Sequence, residues 1–180
     1  MSQPRDYVLY LDMDGCMTNF DKAASALKDG YDAINLAWQH GNVHGADYKE
    51  WKADLLVRIK ATDKFWLNLE WMPDGKRYID QIQKTYDHNN IAILTAPMHD
   101  DRCKPDKLEW IKRELPFINE DHFICADDKE NYINFLPAPK QILIDDRIAN
   151  INAWQAKGAI GVFHTTTDDT IEQLKEILGF

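Results

Sequence analysis

The chain has 180 residues and a net charge of -9, from 21 Lys and Arg against 30 Asp and Glu; 22 of the acids are Asp and only 8 are Glu. That length predicts one domain with one insertion, large enough to build its core without disulfides or a structural metal, so any metal would be functional. With 44% hydrophobic and 28% charged residues the chain is not disordered, and its acidic balance argues against gripping duplex nucleic acid by the phosphates, which needs clustered Lys and Arg.

The opening MSQPRDYVLYLDMDG has too short an apolar run for a signal peptide or a membrane span, which predicts a cytoplasmic protein. Cys16, Cys103 and Cys125 are odd in number and form no C-x-x-C pair, so a reducing compartment and no disulfide are expected. The first strand is predicted at Tyr7 to Leu11. Ile91 to Leu94, Phe123 to Cys125, Ile142 to Ile144 and Ile160 to Phe163 follow, each short and apolar enough for a buried parallel strand. Helices are predicted near 74–86, 104–114, 147–157 and 168–178, the last behind a Thr-rich N-cap. Strands alternating with helices predict an α/β fold, a parallel sheet sandwiched by helices.

The interval after the first strand breaks the rhythm. Ala23 to His40 (with Ala33, Leu36 and Ala37) and Ala46 to Lys60 (with Leu55, Leu56 and Ile59) have apolar residues near helical spacing. This stretch is too long for a simple crossover. It predicts a small helical insertion over 16–72, ending near Phe65 to Pro73, with 1–15 and 73–180 forming the core.

In open parallel sheets the ligand site lies beyond the carboxyl ends of the strands. After the first strand comes Asp12-Met13-Asp14-Gly15; residues two apart in extended chain face one way, and two carboxylates aimed at one point need a cation or a shared proton. Thr95 ends the second strand, Lys129 follows the third, and Asp145-Asp146-Arg147 follows the fourth. Asp100-Asp101 and Asp168-Asp169 have no strand immediately before them and read as loops or caps. Carboxylates, a hydroxyl and an ammonium at four strand ends suit a magnesium-bound phosphoryl group.

The series DMDG, ILT, a Lys after the third strand and LIDD resembles the four motifs of the haloacid dehalogenase superfamily, of phosphatase type. The second acid, Asp14, is absent from the dehalogenases proper. DMDG followed by Phe20, the ILTAP segment, Lys107-x-x-Trp110, the D-K of DDK and LIDDR further resemble the 5'(3')-deoxyribonucleotidases and their small bacterial and phage relatives. The resemblance implies a Rossmann-like core with a helical cap inserted between the first two motifs. It implies Asp12 as a nucleophile forming an aspartyl-phosphate, and Asp14 as the acid that protonates the leaving oxygen and then deprotonates water. Magnesium would take the Asp12 carboxylate, the Asp14 backbone carbonyl and one of Asp145 and Asp146, with Asp146 favoured as the direct ligand and Asp145 supporting. Thr95 and Lys129 would bind the phosphate. Lys107 belongs with them as a side chain behind the phosphate, or else is a solvated helix residue.

Phe20, Trp38, Phe65 and Trp66 lie in or at the root of the insertion, where aromatic faces can pack together or stack on a base. Phe20 occupies the place of a base-contacting aromatic in the nucleotidases. Two positions depart from the animal-type pattern: Ala96 stands where Ser is usual, and Asp127 where Arg is. The expectation is a magnesium-dependent phosphomonoester hydrolase acting on deoxynucleoside or nucleoside monophosphates. The alternatives are the same chemistry on another small phosphate or on 3'-phosphorylated nucleic-acid ends, and a non-catalytic binding protein of this fold. A small phosphate ester is the expected partner, without a stable nucleic-acid complex or a membrane; a homodimer stays open.

Overall fold

In a computed structural model of the chain, residues 6–27 and 46–179 are described. Five strands, β1 (Tyr7–Leu11), β2 (Ile91–Thr95), β3 (Phe123–Cys125), β4 (Lys140–Asp145) and β5 (Ile160–Phe163), form one sheet in the order β3-β2-β1-β4-β5. Every pairing is parallel. Among the described residues six α-helices accompany them: α1 (Phe20–Ala26), α2 (Ala46–Ala61), α3 (Gly75–Thr85), α4 (Cys103–Glu114), α5 (Ile148–Ala156) and α6 (Thr167–Leu178). β2 and β4 run beyond the predicted apolar cores because Thr95, Lys140 and Asp145 continue the ladder, Thr95 opposite Cys125 and Lys140 opposite Tyr7.

The period-two alternation of strand side chains divides the apolar residues between the two faces. Leu9, Leu11, Ile93, Ile142 and Ile144 pack with Tyr78 and Ile82 of α3, Trp110 and Ile111 of α4, and Leu174 of α6. Val8, Tyr10, Ala92, Leu94 and Leu143 pack with Ile151 and Trp154 of α5. Both faces being covered, the strands can be apolar throughout. α6 begins where the Thr166 side chain accepts from Asp169 N and ends at Gly179, whose φ of 76° suits glycine. The predicted caps at Asp168-Asp169 thus lie in the first turn of α6.

From β1 the chain winds outward through β2 to β3, then returns to the other side of β1 to form β4. The reversal lies between β1 and β4, where the crevice of an open α/β sheet receives its ligand. Asp12 N donates to Ile144 O at 2.9 Å, which ties the residue after β1 to the end of β4.

A third apolar cluster lies apart from the sheet faces: Ala24, Leu55, Ile59, Phe65, Trp66, Leu69 and Cys103, with Phe20 and Met98 packed against it. The helix expected at Ala23 to His40 starts three residues earlier, because the Asn19 side chain accepts from Lys22 N. It ends at Ala26, and the rest of the expected stretch, with Ala33, Leu36, Ala37 and Trp38, lies outside the described residues. Asp100 lies, as expected, in the loop before α4, where its side chain accepts from Arg102 N. Asp100 is buried, accepting from Trp66 Nε1 at 3.0 Å and from Arg102 Nη2 at 2.9 Å. Arg102 in turn donates to the carbonyls of Ile59 and Thr62, covering groups that a helix end leaves without intrahelical partners.

Candidate active site

The turn after β1 is set by its own backbone. Met17 N and Thr18 N both donate to Met13 O, and Gly15 N donates to Thr18 O. Gly15 has φ of 85°, which glycine adopts without the steric cost that other residues meet. A Cβ there would overlap Asp146 Oδ2. Glycine therefore permits both the turn and the approach of the β4 carboxylate to the β1 loop.

Lys129 opens a short 3-10 segment after β3 and is buried. Its ammonium donates to Asp12 Oδ1 at 2.6 Å and to Asp145 Oδ2 at 2.6 Å. Burial works against that charge, but Asp12 and Asp145 more than offset it and hold the Lys129 pKa raised. Asp145 also accepts from Arg147 N at 2.8 Å and Asn150 Nδ2 at 2.9 Å, so both of its oxygens are engaged.

Asp146 differs from its neighbour: Oδ1 is a buried oxygen without a hydrogen-bond partner. Ligand atoms of Asp12, Cys16 and Asp146 lie within 4.8 Å of one another. Burial pushes the Asp146 carboxyl up to about 8, with Asp12 and Asp145 adding to the rise. Burial likewise raises Asp12 to about 6, against the pull of Lys129. A buried acceptor without a donor is costly, and crowded carboxylates repel. A hard divalent cation would relieve both, and the oxygens of Asp12 and Asp146 suit one. The donor set therefore fits magnesium, with Asp146 available and Asp145 already committed to its own hydrogen bonds.

Asp14 sits on the other side of the turn with its side chain 28% exposed. Thr18 Oγ1 donates to its Oδ1 at 2.9 Å, and Lys107 Nζ donates to its Oδ2 at 2.6 Å. Lys107, on α4, is fully buried, which removes the solvated-helix alternative. Its other protons go to Thr95 Oγ1 at 2.9 Å and Ala96 O at 3.1 Å. Thr95 is buried at the tip of β2. The ammonium of Lys107 also lies 5.1 Å from the centroid of the Trp66 ring. Phe20 stacks on Trp66 with centroids 5.7 Å apart and planes 13° apart, and meets Phe65 edge-on. Ala96 is half-buried and Asp127 is exposed.

The structure thus gathers Asp12, Lys129, Asp145 and Asp146 in one cluster and Asp14, Thr95 and Lys107 in a second beside it. Phe20 stands in the aromatic group next to the second. Sequence reading passed over Thr18, Asn150 and the Asp100–Arg102–Trp66 group. Thr18 lies four residues after Asp14 and Asn150 five after Asp145, and nothing in their residue types distinguishes them from ordinary turn and helix residues. Asp100 could have been found only through Trp66, 34 positions away.

Comparison with known proteins bears on these clusters. A model of the family described as 5' nucleotidase, deoxy (Pyrimidine), cytosolic type C matches residues 6–176. A Staphylococcus epidermidis RP62A protein provisionally named a 5'(3')-deoxyribonucleotidase is 30% identical over 103 residues, 57% of this chain and 52% of that protein. The chain spans about half the length of such curated relatives. Among solved structures, a hydrolase from Streptococcus pneumoniae TIGR4 superposes with a TM-score of 0.59 at 12% identity, over 97% of this chain and 100% of that one. A provisionally named haloacid dehalogenase-like hydrolase from Burkholderia xenovorans LB400 gives 0.54 at 17% identity, over 97% and 88%. At those identities the likeness is one of fold. The match over nearly the whole described core establishes that this chain belongs to the cytosolic type C 5'-nucleotidase family, on a haloacid dehalogenase fold.

Proposed function

We propose that the chain is a magnesium-dependent phosphomonoester hydrolase that dephosphorylates nucleoside monophosphates, deoxynucleotides among them, through an aspartyl-phosphate on Asp12. The observation that carries this reading is the pair of unlike carboxylates after β1. Asp12 is buried against Lys129, whereas Asp14 is partly open and held by Thr18 and Lys107. One environment suits a nucleophile and the other a proton carrier.

In this reading the Asp12 carboxylate attacks phosphorus while the ester P–O bond breaks. The proton of Asp14 passes to the leaving oxygen. Water then attacks the phosphorus of the acyl phosphate and gives its proton to Asp14, and the Asp12 carboxylate is regenerated. Lys129 has a third proton beyond the two on Asp12 and Asp145, and directs it to a phosphoryl oxygen. The Thr95 hydroxyl accepts from Lys107 and so keeps its own proton for the phosphate. Asp12, Asp146 and the Asp14 backbone carbonyl would hold the magnesium, and Asp145 would orient Lys129 and the loop leading to Asn150. When bound, the ion neutralises charge that builds up on the phosphoryl oxygens.

Residues 16–72 act as the cap and 1–15 with 73–180 as the core; the separate apolar cluster around Leu55, Ile59 and Phe65 supports that division. The Phe20–Trp66 stack next to the acid supports a planar leaving group such as a nucleoside. A second reading, the same chemistry on another small phosphate or on a 3'-phosphorylated nucleic-acid end, is kept open by the exposed Asp127, which stands at the place of a usual arginine and so removes a contact expected to a nucleotide substrate. The discriminating experiment is a phosphate-release screen with magnesium over 5' and 3' nucleoside monophosphates, sugar phosphates and 3'-phosphorylated oligonucleotides. Preferential release from mononucleotides supports the first reading, and preference for oligonucleotide ends or sugar phosphates supports the second. Release from none of them, with or without metal, points to a binding protein.

A further inference from the structure

We infer that Lys107 is a positioning residue for the proton-transfer step, acting through Asp14 without touching substrate; the inference rests on the phosphatase reading given above.

An ammonium has three protons, and Lys107 places them on Asp14 Oδ2, Thr95 Oγ1 and Ala96 O. None remains for a phosphate, and the side chain has no exposed surface. Its stem comes from α4, an element separate from the β1 turn and the β2 tip that it joins. A buried lysine is seldom kept as mere filler, because an ammonium withdrawn from water needs a compensating partner set. Here that set consists of the carboxylate assigned to proton transfer, the hydroxyl assigned to the phosphate, and the carbonyl that follows it. The Trp66 ring, 5.1 Å from Nζ, closes the remaining side.

Two effects follow. The acid's orientation is fixed from both oxygens, by Thr18 on Oδ1 and Lys107 on Oδ2. As the Asp14 proton moves to the leaving oxygen, negative charge develops 2.6 Å from a fixed ammonium, which stabilises that transition state with little reorganisation. Lys107 thereby differs from Lys129, which engages the nucleophile and retains a proton for the phosphoryl group.

The test exploits the leaving group. A nucleoside alkoxide departs only with its proton supplied, whereas p-nitrophenolate departs without help. Lys107→Met, nearly isosteric, is expected to lower kcat for a nucleoside monophosphate about 100-fold, the order of a lost general-acid contribution. Its kcat for p-nitrophenyl phosphate should fall by less than about 5-fold on the same grounds, with KM for both substrates nearly unchanged. In an Asp14→Asn background the Lys107→Met change should cost no further activity on the nucleotide. If circular dichroism shows that Lys107→Met does not fold, Lys107→Gln carries the same expectations. Equal losses on both substrates would mean a purely structural role and overturn the inference. A rise in KM for both would mean direct phosphate contact and overturn it as well. Wild-type protein inactive on both substrates would instead refute the phosphatase reading, and the inference with it.

Discussion

Asp146→Asn removes one negative charge from the buried cluster at almost constant volume, and its effect on stability should have the opposite sign to most buried polar substitutions. Burial, reinforced by Asp12 and Asp145, raises the Asp146 carboxyl from 3.8 to about 8. For an acid whose folded value is raised, the folded chain binds more protons than the unfolded chain between the two values. Stability is therefore lost as pH rises from about 4 to about 8, and no more is lost above that. At about 1.4 kcal/mol per unit the whole rise corresponds to an upper bound of roughly 6 kcal/mol. Asp12 shares the same repulsion, so the part removed with Asp146 alone is about 2 kcal/mol. In a domain of this size that is a gain of about 4–8 °C in Tm. Differential scanning calorimetry in chelator, from pH 4 to pH 9, should show the variant and wild type melting together at the acid end and separating as pH rises. With excess magnesium the wild type should gain stability that the variant does not. A variant no more stable than wild type at pH 8 in chelator, or offset equally at every pH, would refute the reasoning.

Gly15→Ala combines a left-handed backbone with overlap on Asp146 Oδ2; it should cost about 1–3 kcal/mol in urea unfolding and abolish magnesium-induced stabilisation. Lys129→Met leaves Asp12 and Asp145 without their shared partner and should lower unfolding free energy by about 3–5 kcal/mol near neutral pH, readable by circular dichroism melts. Arg102→Met takes the guanidinium from Asp100, which keeps the Trp66 indole and the backbone N–H at position 102, and leaves the Thr62 carbonyl without that donor. A loss of about 1–3 kcal/mol is expected, with limited proteolysis cutting first near residues 59–66.

The strands and their order of use were readable because buried parallel strands are short apolar runs, and Tyr7 to Leu11 or Ile91 to Leu94 can hardly be anything else. The grouping of side chains at their carboxyl ends was readable for the same reason: Asp12, Thr95 and Asp145 directly follow or end those runs, and Lys129 comes four residues after one. Lys107 was harder. Nothing in KPDKLEW tells a buried ammonium from a solvated one, since its partners Asp14 and Thr95 lie 93 and 12 positions away. Asp146 was favoured over Asp145 only by the family resemblance, because in the residues themselves nothing shows which carboxylate Asn150 and Arg147 N already satisfy. Asp100 was readable as a loop residue, but not its burial, which depends on Trp66 from the inserted segment.

The central claim is that Asp12 carries the phosphoryl group. Acid quenching of wild-type protein during turnover of a 32P-labelled phosphate monoester with magnesium, followed by peptide mass mapping, tests it most directly. The account predicts label on the peptide holding Asp12, and neither label nor phosphate release from Asp12→Asn. Asp12→Asn releasing phosphate at the wild-type rate, or label on another residue, would contradict it.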